Sequence, residues 1–334
     1  MDLKEIKKKI KKKEITGISE KFIDKLIECG LRSTEEVISK DKYKLSKLTE
    51  ITETTATKII NRFKAIYKPE MKTAFEIKQI RDKLGHISTG CKDLNSVLGG
   101  GVEMQAMTEF AGQFGSGKSQ TMFTLSVMAQ LPEEEGGVNG SVFFIDTEAT
   151  FRPTRILQIS VNRGIDKKEC LEKGKSNLSK TLKNIYVISS PTSHLLLINV
   201  EALPNIIKEF NMKNKDKPVK LVIVDSLMAP FRSDYIGRGE LAPRQQNLGR
   251  CLQNLQRVAM ENDLAVVFTN QVISTPDSFF KRDVPAGGHR MGHAAQYRIF
   301  LRKGSQGKRV FKIIDAPNIE ETEVIVRLTD KGIE

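Results

Sequence analysis

The sequence is short of the residues that define several protein classes. Only four cysteines occur in 334 residues, Cys29, Cys91, Cys170 and Cys251, far apart and with no CxxC pair. That argues against a cysteine zinc site or a disulfide framework and suits a reducing compartment. No apolar run reaches the roughly 18 residues of a membrane-spanning helix. The opening MDLKEIKKKIKKK lacks the apolar segment of a secretory signal. A soluble, intracellular (cytoplasmic) protein with no membrane partner is therefore expected. His289 and His293 stand four apart without an evident third ligand, which argues against zinc there. Acidic side chains are also in deficit, 41 against 54 Lys plus Arg, leaving a net charge of +13. Such an excess favours a polyanionic partner, nucleic acid ahead of a membrane surface, although a lysine-rich composition alone would give the same sum.

One stretch organises what remains. QAMTEFA reads as a short buried strand, GQFGSGKS as a loop, and TMFTLSVMAQ as a helix with apolar residues at helical intervals. Gly112-x-x-x-x-Gly117-Lys118-Ser119 fits the phosphate-binding loop at every fixed position, in the strand–loop–helix context that confirms it. Glycines let backbone N–H groups turn inward, and the helix N-terminus favours the same anion. Lys118 would reach the terminal phosphates of a nucleoside triphosphate, and Ser119 would ligate Mg²⁺.

The length suggests about two domains. Residues 1–67 read as short helices: FIDKLIECG ends at a capping Gly30, STEEVIS opens with a capping box, and TETTATKIINRFKAIY closes the set. This is a helix-hairpin-helix-type pattern, depleted of its glycines: Gly17 remains, but Ser19 and Glu50 occupy other expected glycine positions. The seven lysines of residues 1–13 suit a solvated helix face or a DNA-touching arm. Residues 68–88 form a linker, with Pro69 at its boundary. In 89–334 the runs SVFFID, NIYVIS, VKLVIVD and LAVVFT alternate with helical stretches, the pattern of a mostly parallel sheet. YRIFLRK, RVFKII and TEVIVRL read as an antiparallel edge. The expected class is α/β, a mostly parallel sheet flanked by helices behind a small all-α domain.

Ligands of such sheets meet the carboxyl ends of the strands. Asp225, ending VKLVIVD, is a candidate for the Mg²⁺ shell beside Ser119, and Glu148, just after SVFFID, for the base acting on water. Gln271, after FTN, is placed to feel the terminal phosphate. Two glycine-punctuated segments follow these ends. One carries Arg232, Tyr235, Arg238 and Arg244; the other carries Lys281, Arg282, Arg290 and the pair Gly287 and Gly288. Cations beside glycines suit a single strand tracked along its phosphates.

In order, GQFGSGKSQ, IDTEATFRPTRI, LVIVDSLMAPFRSDYIGRGELAPRQQ, TNQV, GGHRMGHA, YRIFLRKG and IIDAP resemble the RecA/RadA strand-exchange recombinases, archaeal RadA most of all. The resemblance covers essentially the whole chain. It implies a RecA-like ATPase core whose ATP and Mg²⁺ drive a homo-oligomeric filament, or a ring, on single-stranded DNA that exchanges strands with double-stranded DNA. Recombination mediators are further partners of such proteins. Gly112, Gln113, Phe114, Gly115, Ser116, Gly117, Lys118, Ser119 and Gln120 become ATP-binding positions, and Arg155 matches the residue that stacks on adenine. Glu148, Lys118 and Gln271 become the catalytic set. Arg232, Tyr235 and Arg238 match the first DNA-binding segment, and residues from about 272 to 290, with Lys281, Arg282, Gly287 and Gly288, match the second. His293 matches a histidine coupling ATP to DNA across the subunit interface. Asp315, Ala316 and Pro317 match a segment that caps the neighbour's ATP and helps hold a monovalent cation.

Three departures accompany the resemblance. The subunit-joining Phe-x-x-Ala becomes Met71-Lys72-Thr73-Ala74 by an ungapped count back from ISTG, which keeps an apolar filler but loses ring contacts, so weaker assembly is expected. Phe75 would substitute only after a register shift. The Asn-x-x-His-Gln signature becomes Thr192-Ser193-His194-Leu195, without its Asn and Gln, and the depleted hairpin glycines weaken the case for duplex binding by the small domain. Two other readings stay open: an accessory paralogue that binds ATP and DNA without exchanging strands, and a ring-forming helicase-type motor.

Overall fold

Each of the first five helices starts at a side chain able to take an orphan N–H. Asp2, Ser19, Ser33, Asp41 and Thr52 cap α1 (Leu3–Lys11), α2 (Glu20–Glu28), α3 (Thr34–Ile38), α4 (Lys42–Thr49) and α5 (Glu53–Ile66). Such caps contribute about 1 kcal/mol each. The box at α3 is offset by one residue: Glu36 accepts from the N–H of Arg32 at 2.8 Å instead of that of Ser33. Leu3 and Ile6 of the lysine-rich α1 join Ile23, Leu26, Val37, Leu45 and Phe63 in one small core, while Lys7 pairs with Asp24 at 2.5 Å. That lysine-rich helix is therefore amphipathic, its apolar side docked. α6 (Ala74–Arg81) follows and has no buried residue.

The computed structural model describes residues 1–69, 71–274 and 283–334, and its compact units are Met1–Arg81 and Asp82–Glu334. The second unit opens with β1 (His86–Ile87), α7 (Lys92–Val97) and β2 (Val102–Glu103), β1 and β2 forming a small antiparallel pair. Then come β3 (Met107–Gly112), α8 (Lys118–Met128), β4 (Ser141–Asp146), α9 (Pro153–Asn162), α10 (Lys180–Lys183), β5 (Ile185–Ser189), α11 (Ser193–Lys213) and β6 (Val219–Asp225). After these lie α12 (Ala229–Asp234), α13 (Leu241–Glu261), β7 (Ala265–Asn270), β8 (Val272–Ser274), β9 (Asp283–Pro285) and α14 (Gly288–Gly292). The chain closes with β10 (Tyr297–Lys303), β11 (Arg309–Asp315), β12 (Glu323–Val326), β13 (Leu328–Thr329) and β14 (Gly332–Ile333).

Eight strands make one sheet in the order β12-β11-β10-β3-β7-β6-β4-β5. From β10 to β5 every pair is parallel; β11 and β12 run antiparallel at one side, as the hairpin-like spacing of their sequences implies. β3, β4 and β7 are buried at every residue, because helices cover both faces. Their register levels the carboxyl ends: Asp146 lies opposite Asp225, and Ala111 opposite Asn270. The helical spacing after the phosphate loop suggests a helix with one apolar face, yet α8 is buried at all residues from Thr121 to Met128. Its outer side is covered by α9 and by the β13–β14 hairpin, whose Ile333 N–H reaches Thr124 Oγ1 at 3.2 Å.

Glu50, at one of the depleted glycine positions, ends α4 with φ at 50°, in the left-handed region. A side chain there costs about 1–2 kcal/mol that glycine avoids, against a smaller entropic cost of glycine in the unfolded chain. Its 3.9 Å pairing with Lys25 is solvent-exposed and adds little. Glu50→Gly is expected to stabilise the helical unit by about 0.5–1 kcal/mol, read as slower hydrogen exchange of α4 and α5 amides in the full chain; faster exchange would show that Glu50 is not strained.

Candidate active site

The loop after β3 turns where glycine alone turns easily: Gly115 and Gly117 have φ of 72° and 108°. Gly112 packs against the neighbouring strand, where a Cβ would stand 2.2 Å from the Leu301 carbonyl oxygen. Lys118 opens α8, half-buried, and its Nζ donates to the carbonyls of Gly112 at 2.8 Å and Gln113 at 2.9 Å. Burial holds its pKa below that of a free lysine, while nearby Asp225 and Glu148 act in the opposite sense. These groups line a cleft of about 680 Å³ that also takes in Ser119, Gln120, Thr150, Ser226, Arg232, Gln271, Asp283 and Leu328. A cleft of this size is ample for a nucleotide.

Asp225 ends β6 in the interior, 3% exposed. One oxygen accepts from Thr269 Oγ1 at 2.5 Å; the other is buried with no hydrogen-bond partner among the described residues. Burial raises its pKa, partly countered by the hydroxyls of Thr269 and Ser119 and by Lys118. An orphaned carboxylate oxygen beside a serine hydroxyl at the mouth of a phosphate-type loop is a donor set that fits Mg²⁺, which takes oxygen ligands.

Glu148 is carried by the turn after β4, and that turn is tied down by Asp146. The Asp146 carboxylate accepts from the N–H groups of Glu148 and Thr150, both at 3.2 Å, and of Phe151 at 3.0 Å. Thr147 adds a reciprocal bridge to Ser226, at 2.8 Å in both directions, so the ends of β4 and β6 move together. Burial, then the charge of Asp225, raises the Glu148 pKa, while a hydrogen bond from Gln271 and the charge of Lys118 lower it. Gln271 Nε2 donates to Glu148 at 2.9 Å, and its Oε1 accepts from Arg232 at 2.7 Å. A second cleft, about 410 Å³, shares Glu148, Arg232 and Gln271 with the first, so these three form the partition between them.

The structure thus brings Gly112, Gln113, Phe114, Gly115, Gly117, Lys118, Ser119, Gln120, Glu148, Asp225, Arg232 and Gln271 around one cleft. Ser116 is buried within the loop, and Phe114 projects almost wholly into solvent, at 97% exposure. Arg155 donates to Gln120 at 2.8 Å, to Gln158 at 2.6 Å and to the Thr329 carbonyl at 2.5 Å. It is therefore bound to a residue that lines the cleft.

Beyond the cleft the picture is mixed. Tyr235 follows α12, stacks on Phe231 and accepts from Asn247 at 2.6 Å. Arg244 sits in the first turn of α13 with its Nε buried and unpartnered among the described residues. Lys281, Arg282 and the side chains of Arg238 and His289 lie outside the described residues. Gly287 and Gly288 have φ of 102° and 65° at the start of α14, and Arg290 of that helix donates to the Gln245 carbonyl at 2.9 Å. His293 is exposed just past α14, and Asp315, Ala316 and Pro317 leave the end of β11. In the first unit Met71 is 89% exposed and Ala74 opens α6.

The departed signature after β5 has a local role. Thr192 caps α11, and Ser193 donates through its N–H and Oγ to the Asp234 carboxylate at 2.7 and 2.6 Å. That pair fixes the end of α12 against the start of α11, just ahead of Tyr235. Asp146, Thr269 and Asp283 were not singled out by their sequence context. Asp283, at the start of β9, accepts a hydrogen bond from Gln113 of the phosphate loop. Glu109 was also missed, although a lone carboxylate within the apolar MTEFA run was a visible signal.

A family model, Rad51, matches residues 80–334. The chain belongs to the Rad51 family. Members of this family are RecA-like recombinases, DNA-dependent ATPases that generally use ATP and Mg²⁺ and form oligomeric filaments on DNA. Among the described residues, no helix is long and apolar enough to cross a membrane.

A base must be ionised to take a proton, so if Glu148 is the base of ATP hydrolysis its raised pKa would place the acid limb of the turnover–pH profile above that of an ordinary glutamate. The Gln271 hydrogen bond stabilises the carboxylate form. Gln271→Ala should therefore move the acid limb to higher pH, measured as ATP hydrolysis from pH 4 to 8 at saturating nucleotide; an unmoved limb would separate Gln271 from the ionisation of Glu148.

Proposed function

We propose that this chain is an ATP-dependent DNA recombinase that assembles on single-stranded DNA and carries out homologous pairing and strand exchange in recombinational repair. The observation that carries this reading is the hydrogen-bonded chain Glu148–Gln271–Arg232, which joins the candidate hydrolytic base to a cation of the first DNA-binding segment. A nucleotide pocket alone would serve any ATPase. A direct link from its base to a cationic segment suits one whose turnover answers to DNA.

In this reading the loop N–H groups and Lys118 bind and orient the phosphates of ATP, Lys118 exchanging its carbonyl partners for phosphate oxygens. Ser119 and Asp225 would hold Mg²⁺, which when bound supplies positive charge to the phosphoryl oxygens. Glu148 takes a proton from water as the water oxygen bonds to the terminal phosphorus and the bond to the ADP oxygen breaks. Gln271 keeps the Glu148 carboxylate turned toward the cleft. Arg232, when drawn to DNA phosphate, changes its hold on Gln271, so DNA occupancy and hydrolysis bias one another. Tyr235, Arg238, Arg244, Lys281, Arg282, Gly287 and Gly288 complete the DNA surface. The adenine side falls to Arg155. Met71 and Ala74 join subunits, while His293, Asp315, Ala316 and Pro317 meet the neighbour's nucleotide, with a monovalent cation beside Asp315. We assign the helical front part to 1–67, the linker to 68–88 and the core to 89–334.

An accessory, non-exchanging paralogue is the second reading, favoured by Met71 in place of the joining phenylalanine and by Glu50 at a hairpin glycine position. Strand exchange with ATP and Mg²⁺ between a single strand and a labelled duplex, beside a non-homologous control, separates the two. Homology-dependent product supports the recombinase; ATP-dependent DNA binding without product supports the paralogue. Lys118→Ala is expected to abolish ATP-dependent filaments in electron micrographs. Glu148→Gln should keep ATP and DNA binding while lowering turnover at least ~100-fold; undiminished hydrolysis would remove Glu148 from its role.

A further inference from the structure

One charge sits where a parallel sheet rarely admits any. Glu109, in the middle of β3, is fully buried, and it is not among the residues lining the nucleotide cleft. Arg298 Nε of β10 and Asn270 Nδ2 of β7 each donate to it at 2.6 Å. Burying an ion pair costs several kcal/mol of desolvation, and apolar replacements are often as stable, so stability alone does not explain the carboxylate. A carboxylate does something an apolar side chain cannot: as an acceptor, it dictates which end of a neighbouring amide faces it. Here it holds the NH₂ end of Asn270 inward. The same Nδ2 donates to the Ala286 carbonyl at 2.7 Å, while Oδ1 of Asn270 is buried without a partner among the described residues. The Ala286 N–H donates in turn to the Gln271 carbonyl at 2.9 Å. Both polar backbone groups of Ala286 are thereby taken by residues 270 and 271, and β8 and β9 pair directly above. This closes the root of the segment that begins with Gln271.

We infer that Glu109 is a positioning residue for ATP turnover: through Asn270 and Ala286 it sets the reach of Gln271 to Glu148, with Arg298 balancing its charge. The inference rests on the hydrolytic reading of the neighbouring cleft. Glu109→Gln keeps the shape but offers an amide where two donors point. In the full-length protein it should leave the Kd for a fluorescent ATP analogue within about two-fold and lower kcat about ten-fold with little change in KM. Gln271→Ala supplies the decisive background. Acting through Gln271, Glu109→Gln adds no further loss there; losses that multiply would overturn the inference. Asn270→Ser, which shortens the linking amide, should repeat the pattern and serves if Glu109→Gln does not fold. Hydrogen exchange at the Ala286 amide reads the clamp without turnover. It should quicken in both variants, and unchanged exchange would overturn the clamp. A wild-type protein without ATP turnover would sink the hydrolytic reading and this role with it, whatever the exchange shows.

Discussion

Three carboxylates and a lysine share the end of one parallel sheet, and the placement of these charges governs the rest. Asp146, Glu148, Asp225 and Lys118 are brought together because the strands end level, Asp146 opposite Asp225 and Ala111 opposite Asn270. Each carboxylate meets its burial differently. Asp146 takes three backbone N–H groups and so becomes part of the scaffold. Asp225 accepts from the Thr269 hydroxyl, and its burial outweighs the help of Thr269, Ser119 and Lys118 and disfavours ionisation. Glu148 is balanced between burial, which raises its pKa, and Gln271 with Lys118, which lower it. A site whose ionised groups are left under-compensated by protein gains from any cation it binds, whereas one satisfied internally would gain little. Among the described residues the second Asp225 oxygen has no hydrogen-bond partner, and with Ser119 beside it the cleft offers a donor set that fits a cation.

Much of this was legible in the sequence, for reasons that lie in local chemistry. The phosphate loop demands glycines, a lysine and a hydroxyl at fixed offsets because one backbone shape must surround one anion, so Gly112 to Ser119 could be read directly. The strands were legible because burial on both faces requires unbroken apolar runs, and β4, β5, β6 and β7 fall on the runs that suggested them. Glu148, Asp225 and Gln271 were found by adjacency to strand ends, a rule of topology. The hydrogen bond between Glu148 and Gln271 was not legible, because it depends on strand order: β7 and β6 lie between β3 and β4, although the chain makes β4 first. The full burial of α8 was hidden for a similar reason. Its cover comes partly from β14, some two hundred residues later, a relation no helical periodicity encodes.

The departures from the family pattern divide on physical grounds. The serine at 193 is compensated, since its N–H and hydroxyl hold Asp234 and so steady the entry to the candidate first DNA-binding segment. Glu50 is uncompensated: a left-handed residue with an exposed side chain and one weak, exposed ion pair. Met71 differs from both, because it is exposed and the role proposed for it lies against a second subunit. A thioether adapts to an irregular pocket but lacks the flat face that an aromatic ring presents, so the substitution trades fixed geometry for tolerance.

That distinction bears on how ATP and DNA could be coupled. Within this chain, Arg232 reaches Glu148 through one glutamine, and the phosphate loop reaches the stem after that glutamine through Gln113 and Asp283. Two short routes therefore join the nucleotide cleft to the segment beginning at Gln271, and neither needs a second subunit. Linkage of this kind requires each site to bias the same element, and Gln271, bonded on one side to Glu148 and on the other to Arg232, is the candidate for such an element. The root of its segment is held by hydrogen bonds among Asn270, Gln271 and Ala286. If Met71 joins subunits as proposed, a softer joint there would leave these intrachain hydrogen bonds intact, so that assembly and turnover would be separable properties of the chain.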